Sequence, residues 1–151
     1  ALERRIAAAS AALRPLVCQR RRVFCPIWRK PWMSFNADTY CHDVLATVGA
    51  DNLCAAAPTR YPQVDLAAIA AADPQVILLP DEPYPFATRH LASLQPLHGS
   101  SAWQNGQVHL VDGKALSWYG ARTAAALALF FRLLQPDTPL PDGLDCAPAR
   151  G

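Results

Sequence analysis

The segment Gln75-Val76-Ile77-Leu78-Leu79-Pro80 constrains the fold of this chain more than any other. A strand with one wet face alternates apolar and polar residues. This one is apolar without a break, so it belongs to a parallel sheet covered on both faces. Its flanks agree. Asp65–Ala72 reads as a short helix with Asp65 as N-cap candidate and Asp73-Pro74 as its stop. Asp81–Pro85 follows as a loop, then Phe86–Leu94 as a helix. The same alternation extends along the chain. Val23–Trp28 reads as a strand, and Asp38–Val48 as a helix with Tyr40, Val44, Leu45 and Val48 on one face and Gly49 as its stop. Gln107–Asp112 reads as another strand, and Ser117 as the cap of a long helix, Trp118–Leu134. Strands separated by helical crossovers define an α/β fold with a mostly parallel sheet and helices on both faces. Ahead of it, residues 1–14 space Leu2, Ile6, Ala9 and Leu13 along one helical face until Pro15. Beyond Pro136 the tail is rich in Pro and Gly and reads as loose.

At 151 residues the chain is about one domain. With 52% hydrophobic and 17% charged residues it is not disordered. A net charge of +2 is too small to argue for nucleic acid. The run Arg20-Arg21-Arg22 is short and isolated, and reads as a solvated turn. No apolar run reaches the ~18 residues of a membrane helix. The start, Ala1-Leu2-Glu3-Arg4-Arg5, is charged and helical, with neither the apolar core nor the cleavage site of a signal peptide. It lacks an initiator Met, as a processed or truncated piece would. The five cysteines, 18, 25, 41, 54 and 146, include no CxxC pair. Cys18, Cys25, Cys41 and Cys54 lie in or near apolar segments and read as core thiols.

In parallel sheets, ligands bind beyond the carboxyl ends of the strands. The loops leaving those ends are 28–36, 81–86 and 112–117. The first carries Trp28, Arg29, Lys30 and Trp32; the second is Asp81-Glu82-Pro83-Tyr84-Pro85-Phe86; the third runs from Asp112 into Ser117-Trp118-Tyr119-Gly120. Tyr61 joins them from Arg60-Tyr61-Pro62. Aromatic rings and a few carboxylates on one rim suit a large flat ligand held by stacking and some hydrogen bonds. The known catalytic motifs are absent: there is no GxSxG, HExxH, P-loop or GxGxxG, and no nucleophile–base pair can be named. His42 and His90 read as surface or satisfied core residues.

The segments in order resemble the C-terminal lobe of class III periplasmic solute-binding proteins, the helical backbone metal receptor group. The resemblance is carried by Trp28-Arg29-Lys30-Pro31-Trp32-Met33, Asp38-Thr39-Tyr40, Val48-Gly49, and Arg60-Tyr61-Pro62-Gln63-Val64. It continues through Asp73-Pro74-Gln75-Val76-Ile77-Leu78-Leu79, Glu82-Pro83-Tyr84-Pro85-Phe86 and Ser117-Trp118-Tyr119-Gly120-Ala121-Arg122-Thr123. It implies a three-layer Rossmann-like lobe over residues 20–135, preceded over 1–19 by the end of a long inter-lobe helix, with 136–151 as tail. It implies two lobes with the ligand between them, the N-terminal lobe lying outside this chain. The implied function is the substrate-binding component of a periplasmic ABC importer. Its ligand would be a metal chelate (cobalamin, haem or another), a corrinoid such as vitamin B12 first among them, and its partner the importer's permease. No catalytic role, cofactor or structural metal is implied. By position, Trp32 and Tyr61 match aromatic residues that contact the corrin in the B12 receptor, and Asp112 matches a polar contact. Glu82, Tyr84, Phe86, Trp118 and Tyr119 are motif residues of the subgroup, and the resemblance implies that they too contact the ligand. The resemblance also marks a departure: such receptors place a permease-docking Glu where this chain has Ala67.

Each residue has a plainer role beside the sharp one. Trp28 and Trp32 would alternatively cap the end of the sheet, Trp28 more so than Trp32. Glu82 suits a helix start, Arg122 a carboxylate partner, and Arg29 and Lys30 either solvent or acidic groups on a ligand. A different class stays open: an α/β enzyme or chelatase-like protein using Glu82 or a His as acid–base. A third is a degenerate receptor lobe that no longer docks.

Overall fold

The computed structural model describes residues 2–117 and 119–144. Helix α1 (Leu2–Leu13) runs into a 3-10 turn at Arg14–Leu16, where Pro15 cannot continue the helical ladder. Strand β1 (Arg21–Phe24), α2 (Tyr40–Thr47), β2 (Ala50–Asn52), α3 (Leu66–Ala72) and β3 (Val76–Pro80) follow. A bent 3-10 segment (Thr88–Leu97), α4 (Ser101–Gln104), β4 (Val108–Val111), α5 (Lys114–Ser117) and α6 (Thr123–Leu134) complete the described chain. The four strands pair in parallel in the order β2-β1-β3-β4. This is the α/β architecture with a covered parallel sheet that the apolar run at 76–80 demands.

That run is buried at every position. Its side chains divide by parity. Val76 and Leu78 join Val23, Cys25 and Val111 against Val44 and Leu45 of α2 and Leu127, Phe130, Phe131 and Leu134 of α6. Ala9 and Leu13 of α1 complete this layer. Ile77 and Leu79 join Phe24 on the other face, against Leu66 and Ile69 of α3, Phe86, Leu94 and Leu97. A strand packed on both sides has no wet face on which to place a polar residue.

Local signals locate several boundaries. Asp65 caps α3 by accepting the Ala67 N–H at 3.0 Å, and Asp73 ends that helix in the left-handed region at φ 51°. Helix α2 begins at Tyr40, two residues beyond the expected start at Asp38, and its N-cap is Thr39, whose hydroxyl accepts the His42 N–H at 3.2 Å.

Elsewhere the structure corrects the sequence-based expectations. Arg20-Arg21-Arg22 is no free turn: Arg21 and Arg22 open β1, Arg22 donates to the Asp73 carbonyl at 2.8 Å, and Arg20 pairs with Asp51 at 2.8 Å. The strand ends at Phe24, not Trp28, because Pro26 has no N–H for a ladder. The long helix begins at Thr123, not Trp118, with Arg122 at its N-cap position, and Ser117 instead ends the separate helix α5. Gly120 between them has φ 135°, which no helical residue adopts, and its N–H donates to the Thr123 hydroxyl at 3.2 Å. The helix expected over Phe86–Leu94 is instead 3-10 over Thr88–Leu97, kinked at Leu94, because Ala87 is still extended. Strand β2 and helix α4 were not foreseen.

Cys25 and Cys54 are buried, Cys41 is half-buried, and all three thiols are pushed up by burial. Cys18 was also expected in the core but is exposed, on the link between the 3-10 turn and β1. These four are free thiols; Cys146 lies outside the described residues. Among the described residues no helix is long and apolar enough to cross a membrane.

Candidate functional site

The chain leaves β1 in one lateral direction, toward β2, and returns to β3 on the other side, toward β4. The carboxyl ends of β1 and β3 are therefore the switch point of the sheet, where connections diverge and leave a crevice. The loops that follow these strands are 25–39 and 81–87, and they carry the aromatic motifs.

The first loop folds back on itself. Trp28 and Met33 form an antiparallel bridge, and Met33 bridges onward to Gln63. Val64 donates to the Trp32 carbonyl at 2.9 Å and Ser34 to the Pro62 carbonyl at 3.1 Å. The loop after β2 is thus zipped onto the loop after β1. This places Tyr61, which is 53% exposed, beside the Trp32 segment.

The second loop meets the first ring to ring. Trp28 and Tyr84 pack edge to face at 5.3 Å, and Trp32 stacks nearly parallel on Phe86 at 5.9 Å. Tyr84 and Phe86 touch each other at 4.7 Å. His90 closes the group from the 3-10 segment, edge-on to Tyr84 at 5.2 Å and to Phe86 at 5.9 Å. The Arg29 guanidinium donates to the Tyr84 oxygen at 3.4 Å. The outcome is an aromatic rim across the switch point with the Arg29 guanidinium on it.

The sequence-predicted residues occupy different levels of this rim. Trp32 and Tyr84 are half-buried and present partial faces. Phe86 was expected to contact ligand directly; it is only 4% exposed and lies in the core, where it backs Trp32. Glu82 is half-buried at the junction with the loop after β4. There a Cβ on Gly113 would meet the Glu82 backbone N at 2.6 Å, so only glycine lets the two loops approach this closely. Asp81 reinforces the junction by accepting the Gly113 N–H at 2.8 Å. Asp112 is exposed and accepts the Lys114 N–H at 2.9 Å. Tyr119 is 68% exposed and packs edge-on to Tyr40 at 5.6 Å, away from the Trp32–Phe86 stack. Tyr40 is itself tied to the Thr123 hydroxyl at 2.7 Å. Trp118 lies outside the described residues.

Three rim residues were undervalued from sequence. Trp28, expected to be the more structural Trp, is 41% exposed, more than its partner in the loop. Arg29 and His90 both reach Tyr84. His90 returns to the aromatic group as the third residue of the 3-10 segment, its ring accepting the Ala87 N–H. Its pKa is lowered, chiefly by burial and then by the charges of Arg89 and Arg29.

The rim is an open surface. Two concavities lie away from it: about 650 Å³ near the amino ends of the strands beside Arg14 and Thr47, and about 450 Å³ along the outer edge of β4. Among the described residues no cluster of His, Cys, Asp and Glu is arranged to hold a metal ion. Ala67 is exposed on α3, and the nearby Asp65 carboxylate is engaged in capping.

No protein-family model matches the sequence, and no curated protein sequence matches it. Solved structures do match the fold. The periplasmic vitamin B12 binding protein BtuF of Vibrio cholerae superposes with a TM-score of 0.72 at 23% identity, covering 89% of this chain and 51% of that one. The periplasmic heme-binding protein RhuT from Roseiflexus sp. RS-1 gives 0.70 at 22% identity, covering 88% and 54%. The molybdate periplasmic binding protein MolA of Haemophilus influenzae gives 0.66 at 21% identity, covering 87% and 43%. The chain spans about half the length of these structures, all of which are periplasmic binding proteins. With four parallel strands covered on both faces and an aromatic rim at the switch point, the chain has the fold of one lobe of the class III periplasmic solute-binding proteins.

Proposed function

We propose that this chain is the C-terminal lobe of the substrate-binding component of an ABC importer. The parent protein holds a metal chelate between two lobes, a corrinoid such as vitamin B12 being the first candidate, and releases it unchanged to a permease from the periplasm. In this reading residues 1–19 end the helix between the lobes, residues 20–135 form one wall of the cleft, and residues from 136 onward are tail. The supporting observation is the rim itself: Trp28, Trp32 and Tyr84 gathered on an open face at the sheet's switch point. Stacking surface without an enclosing cavity suits a large planar ligand covered from the other side by a second wall. Trp32, Tyr61 and Tyr84 supply ring faces and edges, with Phe86 behind Trp32. Glu82, Asp112 and Arg29 supply polar contacts at the periphery, and the candidate contacts also include Trp118 and Tyr119. Of the neighbours named above, two bind planar metal chelates, vitamin B12 and heme, and the third binds molybdate.

An acid–base role gains no support from the geometry. His90 is engaged on both ring nitrogens and Glu82 is wedged against Gly113.

The test is a titration of the full-length protein with cyanocobalamin and with haem, followed by Trp fluorescence. Quenching at micromolar ligand is expected. Absence of quenching with both removes cobalamin and haem as its ligands. The isolated lobe binds weakly in either case, because half of the stacking surface is missing.

A further inference from the structure

The hydrogen bonds around His90 determine which atom carries its proton. The Ala87 N–H points at His90 Nδ1 at 3.0 Å, so Nδ1 must accept and carries no hydrogen. In the neutral ring the proton then sits on Nε2, which lies 3.3 Å from the Tyr84 oxygen and donates to it. Arg29, a donor only, approaches the same oxygen from the first loop at 3.4 Å. The Tyr84 oxygen thus accepts twice. Among the described residues its own hydroxyl hydrogen has no acceptor, and the ring is half-buried at the rim.

We propose that His90 is a positioning residue of this rim: as the Nε2–H tautomer it holds the Tyr84 oxygen as an acceptor, together with Arg29, and so presents the Tyr84 hydroxyl hydrogen to an oxygen acceptor, a carboxylate or amide carbonyl, on the edge of a bound chelate. The inference rests on the chelate-binding reading and adds the polar half of the recognition. It also carries a pH dependence. Protonated on both nitrogens, His90 would turn Nδ1–H against the Ala87 N–H, two donors face to face, and loosen the turn that carries Tyr84. The charged and titratable groups facing the ring are Arg89 on its own segment, Arg29 from the loop after β1, and the Tyr84 phenol from the loop after β3.

The test has two arms on the full-length protein. Long-range proton–nitrogen correlation NMR at pH 7.5 reads the tautomer without any ligand. A neutral Nε2–H ring is expected; an Nδ1–H ring or a doubly protonated ring overturns the proposal. Cyanocobalamin titrations then separate positioning from mere packing. In His90→Asn the amide oxygen keeps the acceptor for the Ala87 N–H but cannot reach Tyr84. In His90→Gln the amide nitrogen still reaches Tyr84. Tyr84→Phe and His90→Asn are each expected to weaken binding about tenfold, the scale of one hydrogen bond lost, and His90→Gln to restore most of it. Adding His90→Asn to Tyr84→Phe should cost nothing further, since its effect runs through the hydroxyl. Asn as good as His, or full additivity with Tyr84→Phe, overturns the proposal. Wild-type protein that binds no chelate refutes the functional reading instead, and the tautomer measurement still decides the proton's place.

Discussion

Trp32 shows how one residue joins fold and site. One face lies on Phe86 at 5.9 Å and nearly parallel, and Phe86 is rooted in the core under β1 and β3. The rest of the ring is partly open to the rim. Its removal therefore acts on binding more than on folding. Trp32→Ala is expected to weaken cyanocobalamin binding by about 2 kcal/mol or more, the scale of a buried aromatic anchor, and to leave the far-ultraviolet circular dichroism unchanged. Retained affinity would assign Trp32 to plugging the sheet end. From sequence, the composition of this loop was legible and the ranking of its two Trp residues was not. Exposure depends on which rings the second loop brings across, and that is a contact some fifty residues away along the chain.

At the scale of elements, the rim depends on two loops touching and on the strand between them. Gly113 has ordinary backbone torsion, yet a Cβ there would meet the Glu82 backbone at 2.6 and 2.7 Å. Gly113→Ala must push the 81–87 loop outward. We expect a loss of about 1–3 kcal/mol in thermal or chemical unfolding, the usual cost of overpacking, together with weakened ligand binding. An unchanged midpoint would show that the loops yield freely. Strand β3 makes the complementary prediction. Ile77 and Leu78 are both fully buried but on opposite faces. Ile77→Ala and Leu78→Ala should each cost about 2–5 kcal/mol in urea unfolding. A near-silent change at either position would mean that its face is not packed. The apolar continuity of this strand made it legible. β2 was not: Ala50-Asp51-Asn52 has no strand-forming residue. It is a strand because β1 offers a partner, because Arg20 pairs with Asp51, and because the Asn52 side chain bonds the Phe35 carbonyl and the Cys54 N–H.

For the whole molecule, pH is the informative variable. His90 and His109 both have pKa values lowered from the ordinary 6.5, His90 by burial and nearby Arg charges and His109 by burial. A lowered value means that the unfolded chain binds more protons than the folded one between the folded pKa and 6.5. Stability is then fully present above about 6.5 and is lost as pH falls from there toward the folded values. Unfolding midpoints by scanning calorimetry should be flat from pH 7 to 8 and decline below about 6.5 in a low-salt buffer. His90→Gln should flatten part of that decline. A midpoint that rises on acidification through this range would contradict the neutral state of the buried His90 and half-buried His109 rings.

By itself, the sequence determined the class of fold. An unbroken apolar strand can only be covered on both faces, and the caps Asp65 and Gly49 and the stops at Pro15 and Asp73-Pro74 bound the elements around it. Those signals are local or periodic, and their physics acts within a few residues. Only the tertiary structure decided the strand order, hence the switch point between β1 and β3, and with it the meeting of Trp28, Trp32, Tyr84, Phe86 and His90. It also decided that Gly120 breaks the last helix and that Phe86 faces inward while Trp28 faces out. Such outcomes depend on contacts between distant segments. No residue's own propensity encodes which ring will lie across from it.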